Sequence, residues 1–171
     1  GGDGNDFVDG QQGNDVGFLG AGNDTFQWDP GDGSDNVEGQ DGTDNMLFNG
    51  SAANERFEVS ANGGRVLFTR DIANIVMDLD NVEAINAKAL GGTDTLTLND
   101  LSGTDVANVN GDLAAPGGGN DLAADNVIAN ATNGDDVVVV SGSGTTAEVL
   151  GLPARIAISG AVAANDRLTV N

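Results

Sequence analysis

An aspartate at positions 6, 15, 24, 35 and 44 is preceded in every case by a glycine two residues earlier: Gly4, Gly13, Gly22, Gly33 and Gly42. A second glycine stands four residues before it at Gly2, Gly20 and Gly31, with Gln11 and Gln40 in that place in the other two units. The units read GGDGNDFVD, GQQGNDVGF, LGAGNDTFQ, PGDGSDNVE and GQDGTDNML, with the common frame x-G-x-G-x-D-x-apolar-x. The period is nine, broken once by two inserted residues, Trp28 and Asp29. A unit this short and this rich in glycine makes neither a helix nor a core of its own. It becomes ordered only by stacking on copies of itself. Glycines in the frame permit positive φ in a turn whose carbonyls converge. The apolar residue behind the aspartate (Val8, Phe26, Val37, Met46) is expected to point inward, where short strands stack about 4.8 Å apart. The second unit is the least regular, because Gly17 replaces that apolar residue.

Charge narrows the function. Over 171 residues the chain carries 27 acidic and 6 basic side chains, a net charge of -21, with no Cys and no His. A surface this acidic repels nucleic acid and anionic membranes and attracts cations. Without Cys there is no disulfide framework and no thiolate metal site. Without His neither a Ser-His-Asp triad nor an H-E-x-x-H zinc site can form. The paired Asp135 and Asp136 are adjacent on an expected strand and would face opposite ways, so they do not make a catalytic carboxylate pair. No enzyme activity is expected. The acids are concentrated: residues 1–50 hold eleven, with no Lys or Arg. Residues 51–90 mix six acids with Arg56, Arg65, Arg70 and Lys88, and residues 91–171 hold ten acids with Arg155 and Arg167. Three regions follow: 1–50, 51–90 and 91–171.

The five units resemble the hemolysin-type calcium-binding (RTX) nonapeptide repeat. That resemblance implies a parallel β-roll in which six residues turn and three form a strand, so that two units make one coil. Asp6 then lies on the same edge as Asp24. The two-residue insertion sets Asp15 against Asp35 and Asp24 against Asp44, and being even it keeps the strand alternation. Carboxylates at that spacing repel one another unless a cation joins them, and calcium takes six to eight oxygen ligands in flexible geometry. The implied metal ligands are Gly2, Asp3, Gly4, Asp6, Gly13, Asp15, Gly22, Asp24, Gly31, Asp32, Gly33, Asp35, Asp41, Gly42 and Asp44, holding several calcium ions. The resemblance further implies an extracellular module, secreted or cell-surface, from a large bacterial protein of the kind exported by type I secretion. The chain starts on Gly rather than Met and is expected to be a piece of such a protein, with flanking domains. The implied role is folding on calcium outside the cell. The alternative is an adhesive or carbohydrate-binding module in which calcium is only structural, with Trp28 the one aromatic candidate for a sugar platform.

Beyond residue 50 the signal is weaker. Alternating segments at 55–59, 65–69, 74–79 and 82–85 read as strands, with turns at 62–64 and 78–81; the stretch from Ala84 to Leu90 is ambiguous. Apolar triplets at 66–68, 96–98, 127–129 and 156–158, and at 75–77, 106–108, 137–139 and 168–170, recur every 29 to 31 residues. That spacing predicts three strands per coil, a wider and roughly three-sided parallel β-helix over 91–171, with a β-sandwich as the alternative. Asp94, Asp105, Asp125, Asp136 and Asp166 precede these triplets. They read as turn caps ahead of further metal ligands. The whole is expected to be an all-β solenoid, a β-roll followed by a β-helix.

Overall fold

The computed structural model describes all of residues 1–171. The chain is all-β apart from a single 3-10 turn at Ile72–Asn74. The first block carries β1 (Gly2–Asp3), β2 (Phe7–Asp9), β3 (Val16–Gly22), β4 (Thr25–Trp28), β5 (Asn36–Gly42) and β6 (Asn45–Asn49). The middle carries β7 (Arg56–Asn62), β8 (Arg65–Arg70), β9 (Ile75–Asp80) and β10 (Ala84–Lys88). There follow β11 (Thr95–Leu98), β12 (Asn108–Asp112), β13 (Asn126–Ala129), β14 (Val139–Ser143), β15 (Thr146–Leu150), β16 (Arg155–Ser159) and β17 (Arg167–Val170). The ambiguous stretch from Ala84 is thus a strand.

These strands form two long sheets. One has nine strands in the order β1-β3-β5-β9-β8-β7-β11-β13-β17, and the other has eight in the order β14-β15-β16-β12-β10-β6-β4-β2. From β2 to β7 the chain alternates between the sheets at every strand, so neighbours within a sheet are parallel and come from successive circuits. Two antiparallel meanders interrupt the alternation: β7-β8-β9 in the first sheet and β14-β15-β16 in the second. The Asn62-Gly63-Gly64 turn closes the first hairpin where the sequence places it.

The sequence's three-sided expectation for 91–171 is not met, because the strands fall into two sheets. The 96–98 and 127–129 triplets are neighbours, with Leu96 opposite Val127. The 156–158 triplet lies in the other sheet beside Val109, and 168–170 takes the place beside 127–129. The cause is unequal circuits. Ladder partners are separated by 24 residues at Asn86 and Asn110 but by 47 at Asp112 and Ser159. The longer separation spans the β14–β15 hairpin, so an average period near 30 aligns strands that never touch.

Inward side chains from both sheets merge into one apolar cluster running from Leu19 to Ile158. Phe26, Val37 and Met46 are fully buried as expected, and Val8 packs partly buried against the end of the cluster. Trp28, from the two-residue insertion, is also fully buried. It stacks on Phe48 with ring centroids 4.1 Å apart, and Phe48 meets Phe68 at 4.5 Å and Phe57 at 5.8 Å. An indole with no exposed face is no sugar platform, and the Trp28 proposal from sequence falls. The irregular second unit is explained by the same packing. Gly17 points inward, and a Cβ there would lie 3.1 Å from the Phe26 ring, so the phenyl group of the next unit fills the missing side chain's space.

Candidate functional site: two carboxylate ladders

Strands β2, β3, β4, β5 and β6 each begin at the residue after a repeat aspartate, and β7, β10, β11, β13 and β17 begin after Glu55, Glu83, Asp94, Asp125 and Asp166. The reason is a hydrogen bond across circuits. The Asp6 backbone N–H donates to Oδ1 of Asp24 at 2.6 Å, the Asp24 N–H to Oδ1 of Asp44 at 2.8 Å, and the Asp44 N–H to Oε2 of Glu83 at 2.6 Å. On the other edge the Asp15 N–H donates to Oδ1 of Asp35 at 2.8 Å. Beyond the first meander the same edge continues from Glu55 to Asp94, Asp125 and Asp166 through N–H to Oδ1 bonds of 2.7, 2.8 and 3.0 Å.

The residue before each aspartate works in the opposite sense. Asn23 N–H donates to Oδ1 of Asn5 at 2.9 Å, Thr43 N–H to Oδ1 of Asn23 at 3.0 Å, and Ser34 N–H to Oδ1 of Asn14 at 3.0 Å. The Asn-Asp dipeptide is therefore a reciprocal clasp: one side chain reaches forward a circuit and the other back. Stacked circuits keep their register because both bonds fail together if one strand slips.

Asp24, Asp44, Asp94 and Asp125 use only one carboxylate oxygen, Oδ1, in the clasp. Oδ2 of Asp15, Asp24, Asp44, Asp94, Asp121 and Asp125 is buried and meets no hydrogen-bond donor. Leaving a buried acceptor unpaired costs about 1–3 kcal/mol, more when it is charged. Four ladder carboxyls, Asp35, Asp44, Asp94 and Asp125, hold their protons more tightly than an ordinary aspartate. Burial, with further repulsion from Asp125, Glu55 and Asp121, lifts the pKa of Asp94 to about 7 against the ladder N–H that lowers it. Asp35 and Asp125 are lifted to about 6, again chiefly by burial, and Asp44 is raised for the same reason.

Other residues singled out from sequence divide plainly. Asp6 lies on the first ladder, its Oδ2 accepting the Gly2 N–H at 2.7 Å. Asp3 ends β1 and Asp41 lies near the end of β5, and both are exposed. Asp32 accepts the Asp29 N–H at 2.7 Å and closes the insertion turn. Asp136 caps its turn through Thr132, and Asp166 has donors on both oxygens, from Asp125 and Val162. Asp105 is exposed and begins no strand. Glu55 and Glu83 were not foreseen, since a glutamate without its glycine frame carries no repeat signal. Asp121 was findable: Gly117-Gly118-Gly119-Asn120-Asp121-Leu122 repeats the frame of the first unit, and it was hidden by the longer period sought there.

The glycines fix how closely circuits approach. Gly4, Gly22 and Gly42 stack on successive circuits, and a Cβ on Gly42, at φ 142°, would sit 1.6 Å from the Gly22 carbonyl oxygen. The lost-glycine positions keep the left-handed backbone, with φ 60° at Gln11 and 75° at Gln40. Gly42→Ala combines backbone strain with overpacking and is expected to cost at least about 3 kcal/mol, read as a urea midpoint shift in millimolar calcium. Gly2→Ala, where nothing lies within 4 Å of the added carbon, is the control and should change stability by less than about 0.5 kcal/mol.

No three acidic side chains gather around a single point. A cation on these edges would therefore take part of its shell from backbone carbonyls and water. All available donors are hard oxygens, which suits calcium rather than zinc or copper. No family model matches the chain, and a search of curated proteins finds no match either.

Proposed function

We propose that residues 1–50 form a calcium-binding β-roll of the RTX type, and that the chain is a calcium-responsive folding module of a secreted or cell-surface bacterial protein. One observation carries the reading: on edges built only of oxygen donors, Oδ2 of Asp15, Asp24 and Asp44 is buried without a partner. Asp24 and Asp44 on one edge, and Asp15 and Asp35 on the other, would hold the ions, beside the stacked glycine turns. A bound calcium ion supplies the positive charge that turns carboxylate repulsion into coordination. The residues themselves supply the geometry: the Oδ1 bonds hold the side chains of Asp24, Asp35 and Asp44, and Oδ2 of Asp24 and Asp44 is left buried without a partner.

Without that charge, the first block has eleven acids, no basic residue and a core only a few side chains thick, which ordering entropy outweighs. With it, binding free energy becomes folding free energy. Extracellular calcium modules bind at about 10⁻⁴–10⁻³ M, which separates a cell's interior from its surroundings.

Titration of the whole chain, followed by far-UV circular dichroism and calorimetry, tests this. The β signal should rise and the melting temperature increase as calcium passes through about 10⁻⁴–10⁻³ M. Magnesium at the same concentration should do little, because it demands near-octahedral geometry and dehydrates reluctantly. An unchanged spectrum and melting temperature between chelator and calcium would refute the proposal.

A further inference from the structure

Glu55 stands on the ladder where the repeat units have aspartate. Strand β7 starts at the next residue, the Glu55 N–H donates to Asp94 Oδ1 at 2.7 Å, and its carbonyl accepts the Thr95 N–H at 2.9 Å. Its side chain is fully buried. Yet it differs from Asp15, Asp24, Asp44, Asp94 and Asp125 in one respect: both carboxylate oxygens are partnered. Oε2 accepts the Ser51 N–H at 2.7 Å, and Oε1 meets the guanidinium of Arg70. Arg70 is 5% exposed, its carbon centre lies 5.3 Å from the centroid of the Trp28 ring, and it also reaches Ser51 Oγ at 3.4 Å. It comes from β8, the central strand of the meander, which lies outside the nonapeptide units.

We infer that Arg70 is the resident cation of the Glu55 station. On the reading of the aspartate stations as calcium sites, its guanidinium does at Glu55 what a divalent ion does at Asp24 or Asp44. Three features suit it to that place. Arginine stays charged at every relevant pH, and its flat fork donates to carboxylate and hydroxyl together. Its face is held against an aromatic ring, which favours a desolvated cation. Its tether removes the concentration dependence that a dissociable ion has. Glutamate, one methylene longer than aspartate, carries the carboxylate to the strand that holds the arginine. The consequence is a division of labour along the chain. The edge at residues 51–90, with Phe57 and Phe68 beside it, closes without metal, and this centre is the template on which the first block, with Trp28 and Phe48, orders when calcium arrives.

Amide hydrogen exchange on the whole chain tests this, in excess chelator and in millimolar calcium. The wild-type chain should protect 57–59 and 66–70 in both conditions, and 7–9 and 16–19 only with calcium. Arg70→Gln should lose protection at 57–59 and 66–70 in chelator and regain it in calcium, with extra calcium uptake by titration calorimetry. The double variant Glu55→Gln, Arg70→Gln removes the buried charge with its partner, and should stay protected there in both conditions without extra uptake. Arg70→Gln protected as well as wild type in chelator overturns the inference. So does Arg70→Gln that calcium does not restore, and so does a double variant that loses protection. Failure of the calcium reading shows elsewhere, as calcium without effect on residues 7–19 of the wild-type chain.

Discussion

Asp24→Asn will weaken calcium binding about tenfold to a hundredfold, and in excess chelator it will leave the chain more stable than wild type. The two signs come from the two oxygens. Asparagine keeps an Oδ1 that accepts the Asp6 N–H, the 2.6 Å bond that sets the clasp, and it fills the same space. What it removes is the charge shared with Oδ2, which is buried and unpartnered in a residue that is 1% exposed. A bond to a charged group is worth about 1.5–3 kcal/mol, which at about 1.4 kcal/mol per decade gives the stated loss of affinity. In chelator that same charge is a desolvated anion with no counterion, and its removal relieves the fold. Titration calorimetry and urea midpoints under both conditions read the result. An equal loss of stability in chelator and in calcium would mean that Asp24 serves the clasp alone. Asp166→Asn is the contrast: both its oxygens already accept N–H groups, and its calcium response should match wild type.

The first fifty residues were legible because period, turn chemistry and apolar position agree with one another. The 18-residue offset of Asp6 and Asp24 and the 20-residue offsets of the next pairs appear as hydrogen bonds between those same residues. The even insertion keeps the alternation and delivers Trp28 to the interior rather than to an edge. What the sequence could not show was how the carboxylates divide. That only one oxygen is used by the clasp, while the other is left in the interior, depends on rotamers that a spacing cannot encode. The later half was read less well for a different reason. A hairpin inserted between strands adds length without adding a circuit, so β14 and β15 displaced every longer-range alignment. Asp94 and Asp125 were expected to be satisfied turn caps. They are caps through Oδ1, but their second oxygens share the condition of Asp24 and Asp44.

The raised carboxyls of the ladders give the chain different pH responses with and without calcium. Asp94 is lifted to about 7 and Asp35 and Asp125 to about 6, from an ordinary 3.8, chiefly by burial. A carboxyl whose folded value is raised holds its proton more tightly in the fold than in the unfolded chain. Between the two values the folded state carries more protons, so stability falls as pH rises. In chelator, stability should therefore increase on acidification from about pH 7.5 toward pH 4.5, each tenfold gain in proton affinity on folding being worth about 1.4 kcal/mol. At Asp35 and Asp44 coordination reverses the sign, since a ligand carboxylate must be ionised and binding expels its proton. At pH 6 calcium uptake should release protons, and at pH 8 almost none, because Asp35 is then ionised already. Calorimetry in two buffers of different ionisation enthalpy measures that release, and urea midpoints from pH 5 to 8 measure the stability. In millimolar calcium the midpoint should gain less on acidification than in chelator, because protonation of Asp35 and Asp44 opposes coordination while Asp94 and Asp125 keep their raised values. Equal slopes in both, or no proton release at pH 6, would remove Asp35 and Asp44 from the calcium sites.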